Sequence, residues 1–164
     1  MKKGHILLLI AGIVILLLIA GIVFLSVFME LPENIIVNVD SPVQVKQNQE
    51  FNINVTIKNT ANNPQKLVSI DVRDSYLKGI SIKSSDPPYK DSFHLPVYDS
   101  FTYDYHTDIP ANGELDIVLT AAAVKTGDFR GDIELYIDED IDCVKKQDCY
   151  GNCLPIYIRT VVSG

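Results

Sequence analysis

The sequence predicts an all-β chain, a two-sheet antiparallel sandwich of about 7–9 strands, preceded by one N-terminal transmembrane helix. Three observations predict it. Residues Ile6 to Met29 form an uninterrupted run without a charge, in which Ser26 is the only strongly polar side chain. From residue 35 onward, apolar and polar residues alternate with a period of two in short stretches. Between those stretches stand Gly, Pro, Asn and Asp, with no sustained helical period.

The N-terminal run divides the chain into a basic flank (1–5), an apolar span (6–29), a short linker (30–34) and an outer domain (35–164). A helix of 24 residues (6–29) is roughly 36 Å long, enough to cross a hydrocarbon core of about 30 Å with some tilt. Lys2 and Lys3 precede the span and Glu30 and Glu33 follow it. The positive flank stays cytoplasmic and the C-terminal domain emerges on the far side of the membrane. A cleaved signal peptide would have a shorter apolar region ending in a small-x-small site; Leu18/Ala20, Ile19/Gly21 and Phe24/Ser26 each place a bulky group where a small one is required. The expected localisation is therefore the cell membrane, single-pass, with lipid contacted through residues 6–29. The linker is too short for a stalk, so the outer domain is expected close to the bilayer or to another membrane protein. Lys3-Gly4-His5-Ile6 also resembles the processing site of class III signal peptides of pilins, cut after the Gly. It implies an alternative, a pilin-like filament subunit processed after Gly4, although Leu9 stands where bacterial type IV pilins carry a Glu.

Along the outer domain, Ile35, Val37 and Val39 alternate with Ile36, Asn38 and Asp40 before a Ser41-Pro42 turn. Phe51, Ile53, Val55 and Ile57 against Asn52, Asn54, Thr56 and Lys58 make the clearest strand with one buried face. After the turn at 59–64, Val68, Ile70 and Val72 are expected inward and Leu67, Ser69 and Asp71 outward. Ile80-Ser81-Ile82 is a short strand, and Asp86-Pro87-Pro88 breaks the chain. Phe101, Tyr103 and Tyr105 are in phase, as are Leu115, Ile117, Leu119 and Ala121, and then Ile133, Leu135 and Ile137. The last strand holds Ile156, Ile158 and Thr160 on one face and Tyr157 and Val161 on the other. Some 130 residues suffice to bury a core without metal or cofactor.

The stretch Gln49-Glu50-Phe51-Asn52-Ile53-Asn54-Val55-Thr56-Ile57-Lys58-Asn59-Thr60, with Ile109-Pro110-Ala111-Asn112-Gly113-Glu114 and Gly127-Asp128-Phe129-Arg130-Gly131, resembles the Ig-like cell-surface modules of bacteria and archaea, of the CARDB and related conserved-repeat type. The likeness covers most of residues 35 to 162 and rests on turn motifs. It implies an Ig-like sandwich at the cell surface, with no catalytic residues.

Charge and motifs narrow the function. The chain has 14 basic and 21 acidic side chains. Two of the bases and one acid precede residue 31, which leaves −8 on the rest. So negative a surface repels phosphate backbones, and no basic patch offsets it, so no nucleic-acid partner is expected. No phosphate loop, dinucleotide fingerprint, nucleophile elbow or His-rich metal motif occurs, so the chain is read as a non-enzyme. Cys143, Cys149 and Cys153 share one loop; in an oxidising compartment two of them pair and one is left over, and spacing does not say which. Zinc would need a fourth ligand from His94 or His106. Asp138, Asp140 and Asp142 alternate as calcium-type carboxylates, but an EF-hand loop begun at Asp138 places Cys143 and Cys149 where Gly and Glu are required. The group is a calcium candidate beside its reading as a solvated turn, and no other cofactor is expected.

Six of the 14 aromatic residues lie between Tyr89 and Tyr105. Strand alternation assigns Phe101, Tyr103 and Tyr105 to the core. Tyr89, Phe93 and Tyr98 fall in a Pro-interrupted connection and are the expected partner surface. The function expected is that of a non-catalytic interaction or accessory subunit of a membrane or cell-envelope complex, whose partner is another membrane or envelope protein.

Overall fold

The computed structural model describes residues 34–138 and 153–164. The apolar span 6–29, Lys2, Lys3, Gly4, Asp140, Asp142, Cys143 and Cys149 lie outside the described residues; Cys153 opens the last strand. Among the described residues no helix is long and apolar enough to cross a membrane.

Ten strands are described: β1 (Ile35–Asp40), β2 (Gln44–Lys46), β3 (Glu50–Asn59), β4 (Gln65–Arg73), β5 (Ile80–Asp86), β6 (Asp91–Leu95), β7 (Ser100–Ile109), β8 (Glu114–Ala123), β9 (Gly127–Ile137) and β10 (Cys153–Ser163). A four-residue helix α1 (Asp74–Leu77) follows β4, and a 3-10 turn (Pro96–Tyr98) follows β6. They form a four-stranded sheet in the order β1-β3-β8-β5 and a six-stranded sheet in the order β2-β10-β9-β4-β7-β6. Neighbours are antiparallel except β10 and β2, which run parallel.

The core forms where the alternating apolar faces of the two sheets meet. Phe51, Ile53, Val55 and Ile57 on β3 lie beside Ile117, Leu119 and Ala121 on β8. They face Ile70, Val72, Ile133, Leu135 and Ile137 of the other sheet in one cluster of buried residues. Each such side chain contributes about 1.5–3 kcal/mol when fully buried. On β10 it is Ile158 and Val162 that are buried with Thr160 between them. The Tyr76 hydroxyl of α1 and Thr160 Oγ1 lie 2.9 Å apart, so two buried hydroxyls satisfy each other.

Three elements exceed the eight strands that alternation predicts. β2 has only Gln44-Val45-Lys46, too short to display a period, and α1 is a single turn. β6, Asp91-Ser92-Phe93-His94-Leu95, carries little apolar alternation but pairs along its whole length with β7. β4 departs from its expected phase because a bulge shifts the register between Leu67 and Ser69. Leu67 therefore joins Ile70 and Val72 in the core cluster in place of Val68. Ser69 and Asp71 point to the other face, yet they too are buried.

Two turns close one end of the sandwich. The buried Asn59 amide donates to the carbonyl oxygens of Asn63 (2.9 Å) and Ile109 (3.3 Å), and its Oδ1 accepts from Ala61 N–H. Asn112 N–H donates to Ala61 O, and Asn59 N–H donates to Gly113 O. The turn after β3 and the turn before β8 thus fasten each other, with Asn112 in the left-handed region at φ 50°.

Gly79, ahead of β5, is fixed by space: a Cβ there would overlap the Phe129 ring. Gly79→Ala is expected to destabilise the chain by about 1–3 kcal/mol. In urea unfolding, the double variant Gly79→Ala/Phe129→Leu should lose less than the two single losses added together. Strict additivity would contradict this contact.

Candidate functional site

Pro87, Pro88 and Pro96 bracket β6 and confine it to five residues at the open end of the six-stranded sheet. Alternation then sends its side chains two ways. Ser92 and His94 take the inward phase at the open rim of the sandwich, where the still exposed His94 ring stacks on Phe101 (centroids 6.3 Å) and Nε2 lies 2.7 Å from Asp74 Oδ2. Phe93 points outward and is 37% exposed. The 3-10 turn beyond it leaves Val97 87% and Tyr98 42% exposed. This turn is held in place: Arg73 Nη1 donates to Tyr98 O at 2.6 Å, and Asp74 N–H donates to Asp99 O at 2.8 Å. Asp99 itself takes the left-handed conformation that ends the turn. The three aromatics expected at a partner surface therefore separate. Phe93 and Tyr98 lie on the outer edge, whereas Tyr89 is half-buried against the core, its ring edge-on to Tyr103 at 5.2 Å.

Between β5 and β6 the two sheets part into a cleft of ≈ 290 Å³, lined by Leu77, Ile80, Ile82, Tyr89, Phe101 and Tyr103 together with Ser81 and Ser92. Burial raises the Tyr103 hydroxyl above its ordinary range and pushes Tyr105 up to about 12. Both stay protonated at neutral pH.

The outer face of the six-stranded sheet carries a second group that alternation does not distinguish. Register aligns Phe93, Thr102, Asp71 and Glu134 in one row across β6, β7, β4 and β9, and Leu95, Ser100 and Arg73 in the next. Ser69, Asp71, Ser100, Thr102 and Glu134 are all buried. Arg73 Nη2 donates to Glu134 Oε1, an ion pair that compensates the buried carboxylate. Asp71 has no such partner. Burial, reinforced by the Glu134 charge, pushes its carboxyl up to about 6 against the opposing effects of Thr102, Ser100 and Arg73. In sequence, Ser69 and Asp71 occupy the polar phase of a strand, which reads as ordinary solvated positions; no signal in the chain marks them as covered.

The remaining charged groups are structural. Arg130 and Arg159 each fork onto Asp128 at 2.6–3.2 Å and hold its carboxyl well below the usual range. Asp138, of the calcium candidate, ends β9 at φ 61° and accepts the Lys66 N–H through Oδ1 at 2.6 Å, so it caps a turn. His106 Nε2 lies 3.1 Å from Asp104 Oδ1. Among the described residues, no three His, Cys, Asp or Glu side chains converge to hold a metal by themselves.

No protein-family model and no curated protein matches the chain. Among solved structures, the chain is similar to the cupredoxin domain of amoB from Nitrosocaldus yellowstonii, at 12% identity over 82% of this chain and 90% of that one, with a TM-score of 0.47. It is also similar to AvmM, which catalyses macrocyclization in alchivemycin A biosynthesis (11% identity, 82% and 92% covered, TM-score 0.49). A third likeness is to Escherichia coli alpha-2-macroglobulin (9% identity, TM-score 0.48), where 79% of this chain matches 7% of the other. At TM-scores below 0.5 these likenesses carry no argument about what the chain binds or does.

The Asp71 carboxyl gives a signed pH dependence. Its folded pKa, about 6, lies above the ordinary 3.8, so its contribution is fully present below pH 4 and is lost as pH rises through 6. The shift corresponds to about 3 kcal/mol. With a chelator present, urea unfolding should show Asp71→Asn gaining on the native chain by roughly that amount between pH 4 and pH 7.5. An equal difference at both pH values would contradict the assignment.

Proposed function

We propose that this chain is a single-pass, membrane-anchored accessory or assembly subunit whose outer Ig-like sandwich docks onto the extracytoplasmic part of another membrane or envelope protein. The anchor is argued from the apolar span at 6–29 with Lys2 and Lys3 before it. One feature supports the Ig-like reading. In space, β1-β3-β8-β5 corresponds to the A-B-E-D sheet, and β10-β9-β4 to G-F-C, with β7 and β6 continuing it as C′ and C″ do in variable-type domains. The chain, however, visits the D position before C″ and C′.

The observation that carries the docking proposal is the coincidence of a strand edge unpaired among the described residues with exposed apolar side chains. Among the described residues β6 hydrogen-bonds only to β7, and its outward Phe93 stands near a turn presenting Val97 and Tyr98. An edge strand offers main-chain donors and acceptors for strand addition, and neighbouring apolar side chains supply affinity and register. Tyr and Phe give large contact area at low conformational cost. The Arg73 and Asp74 bonds to the turn hold this surface in one shape before a partner arrives, which lowers the entropic cost of docking.

Co-purification of the full chain from native membranes in mild detergent tests the proposal. Phe93→Asp/Tyr98→Ser is expected to lose a co-purifying membrane protein by about tenfold or more while melting within about 2 °C of the native chain, since both side chains are exposed. Unchanged recovery of that partner would contradict docking through β6.

A further inference from the structure

The outer face of the six-stranded sheet contains buried oxygen atoms that no described residue fully satisfies. Ser69 and Asp71 stand two apart on β4 and so share a face; register sets Asp104 beside Ser69 and Thr102 beside Asp71. Ser69 and Thr102 are 0% exposed and Asp71 is 4% exposed. Among the described residues Ser69 Oγ and Asp71 Oδ1 have no hydrogen-bond partner, and the Thr102 hydroxyl has none but the Asp71 carboxylate beside it. Orphaned buried polar atoms are rare, and each costs about 1–3 kcal/mol, more when the group is charged.

Among the described residues the charge around these atoms is mostly negative. Asp91 pairs in register with Asp104, Glu134 with Asp71, and Asp132 acts on Arg73. On the cationic side, Arg73 is committed to Glu134 and to the Tyr98 carbonyl, and His106 faces Asp104. Among the described residues no cation hydrogen-bonds the Asp71 carboxylate, and Arg73 acts on it only through space while committed to Glu134. A water molecule would satisfy the two hydroxyls and leave the buried negative charge where it is. A cation answers both deficits, and an all-oxygen donor set selects a hard one.

We propose that Asp71, the hydroxyls of Ser69 and Thr102, and Asp104 hold one calcium ion on the outer face of β4 and β7. Two carboxylates neutralise its charge, and the hydroxyls complete a set of oxygen ligands. Calcium suits the place better than magnesium, because magnesium keeps several waters and demands octahedral geometry. The ion would bind the centre of the sheet, one strand away from β6, so it acts on stability and not as part of the docking edge.

Thermal melting of the full chain, purified in detergent and stripped with a chelator, tests this. Added calcium is expected to raise Tm by about 5 °C or more. Asp71→Asn should abolish the rise, and so should Ser69→Ala/Thr102→Val, which retains every carboxylate and serves if Asp71→Asn does not fold. Asp138→Asn should keep it. A Tm indifferent to calcium overturns the proposal. So does a rise that persists in both Asp71→Asn and Ser69→Ala/Thr102→Val, and so does one lost only in Asp138→Asn, which would place the ion at the β9 turn.

Discussion

β4 has no face turned to solvent, and the rest of the domain is arranged around that constraint. On its inner side Leu67, Ile70 and Val72 enter the common core; on its outer side Ser69 and Asp71 are also closed off. A strand buried on both faces must settle its polar groups locally. Backbone groups do so through the ladders to β7 and β9. Among the side chains, Glu134 does so through Arg73, while Asp71 is left with hydroxyls alone. The bulge between Leu67 and Ser69 is the device that allows this division: it re-phases the strand, so that an apolar residue replaces Val68 in the core without extruding Ser69.

The same arrangement reaches the edge of the sheet. Arg73 ends β4 and joins the polar group to the periphery, because one guanidinium binds both Glu134 and the Tyr98 carbonyl. Its planar fork suits this double role in a way a lysine would not. The turn that displays Val97 and Tyr98 is therefore held by a residue whose other contact lies near the middle of the sheet. Stability and surface presentation are coupled through a single side chain.

The strands with one buried face were legible in the sequence because alternation is a direct record of a two-sided environment. β3, β8 and β9 bury the residues that their phase predicts, and so do Tyr103 and Tyr105 on β7. Legibility fails where that record is missing. β2 is too short to show a period, β6 carries one large apolar residue between Asp91 and Leu95, and the bulge in β4 resets the phase without a glycine to announce it. At the candidate sites, Phe93 and Tyr98 were legible as surface aromatics because prolines bracket them. Tyr89 was not separable from them, since its half-buried position depends on Tyr103, a residue of another strand. Asp71 was illegible for a further reason: a polar residue on the outward phase reads as solvated, and only tertiary cover makes it otherwise.

Hydrogen exchange of the full chain, compared between native membranes and detergent, tests most directly the idea that β4 is the sealed centre and β6 the receptive edge. The account predicts that β4 amides exchange only through global unfolding in both settings, whereas β6 amides open locally in detergent and slow markedly in native membranes, where a partner strand covers them. Exchange of β4 as fast as β6, or β6 amides indifferent to the native membrane, would contradict it.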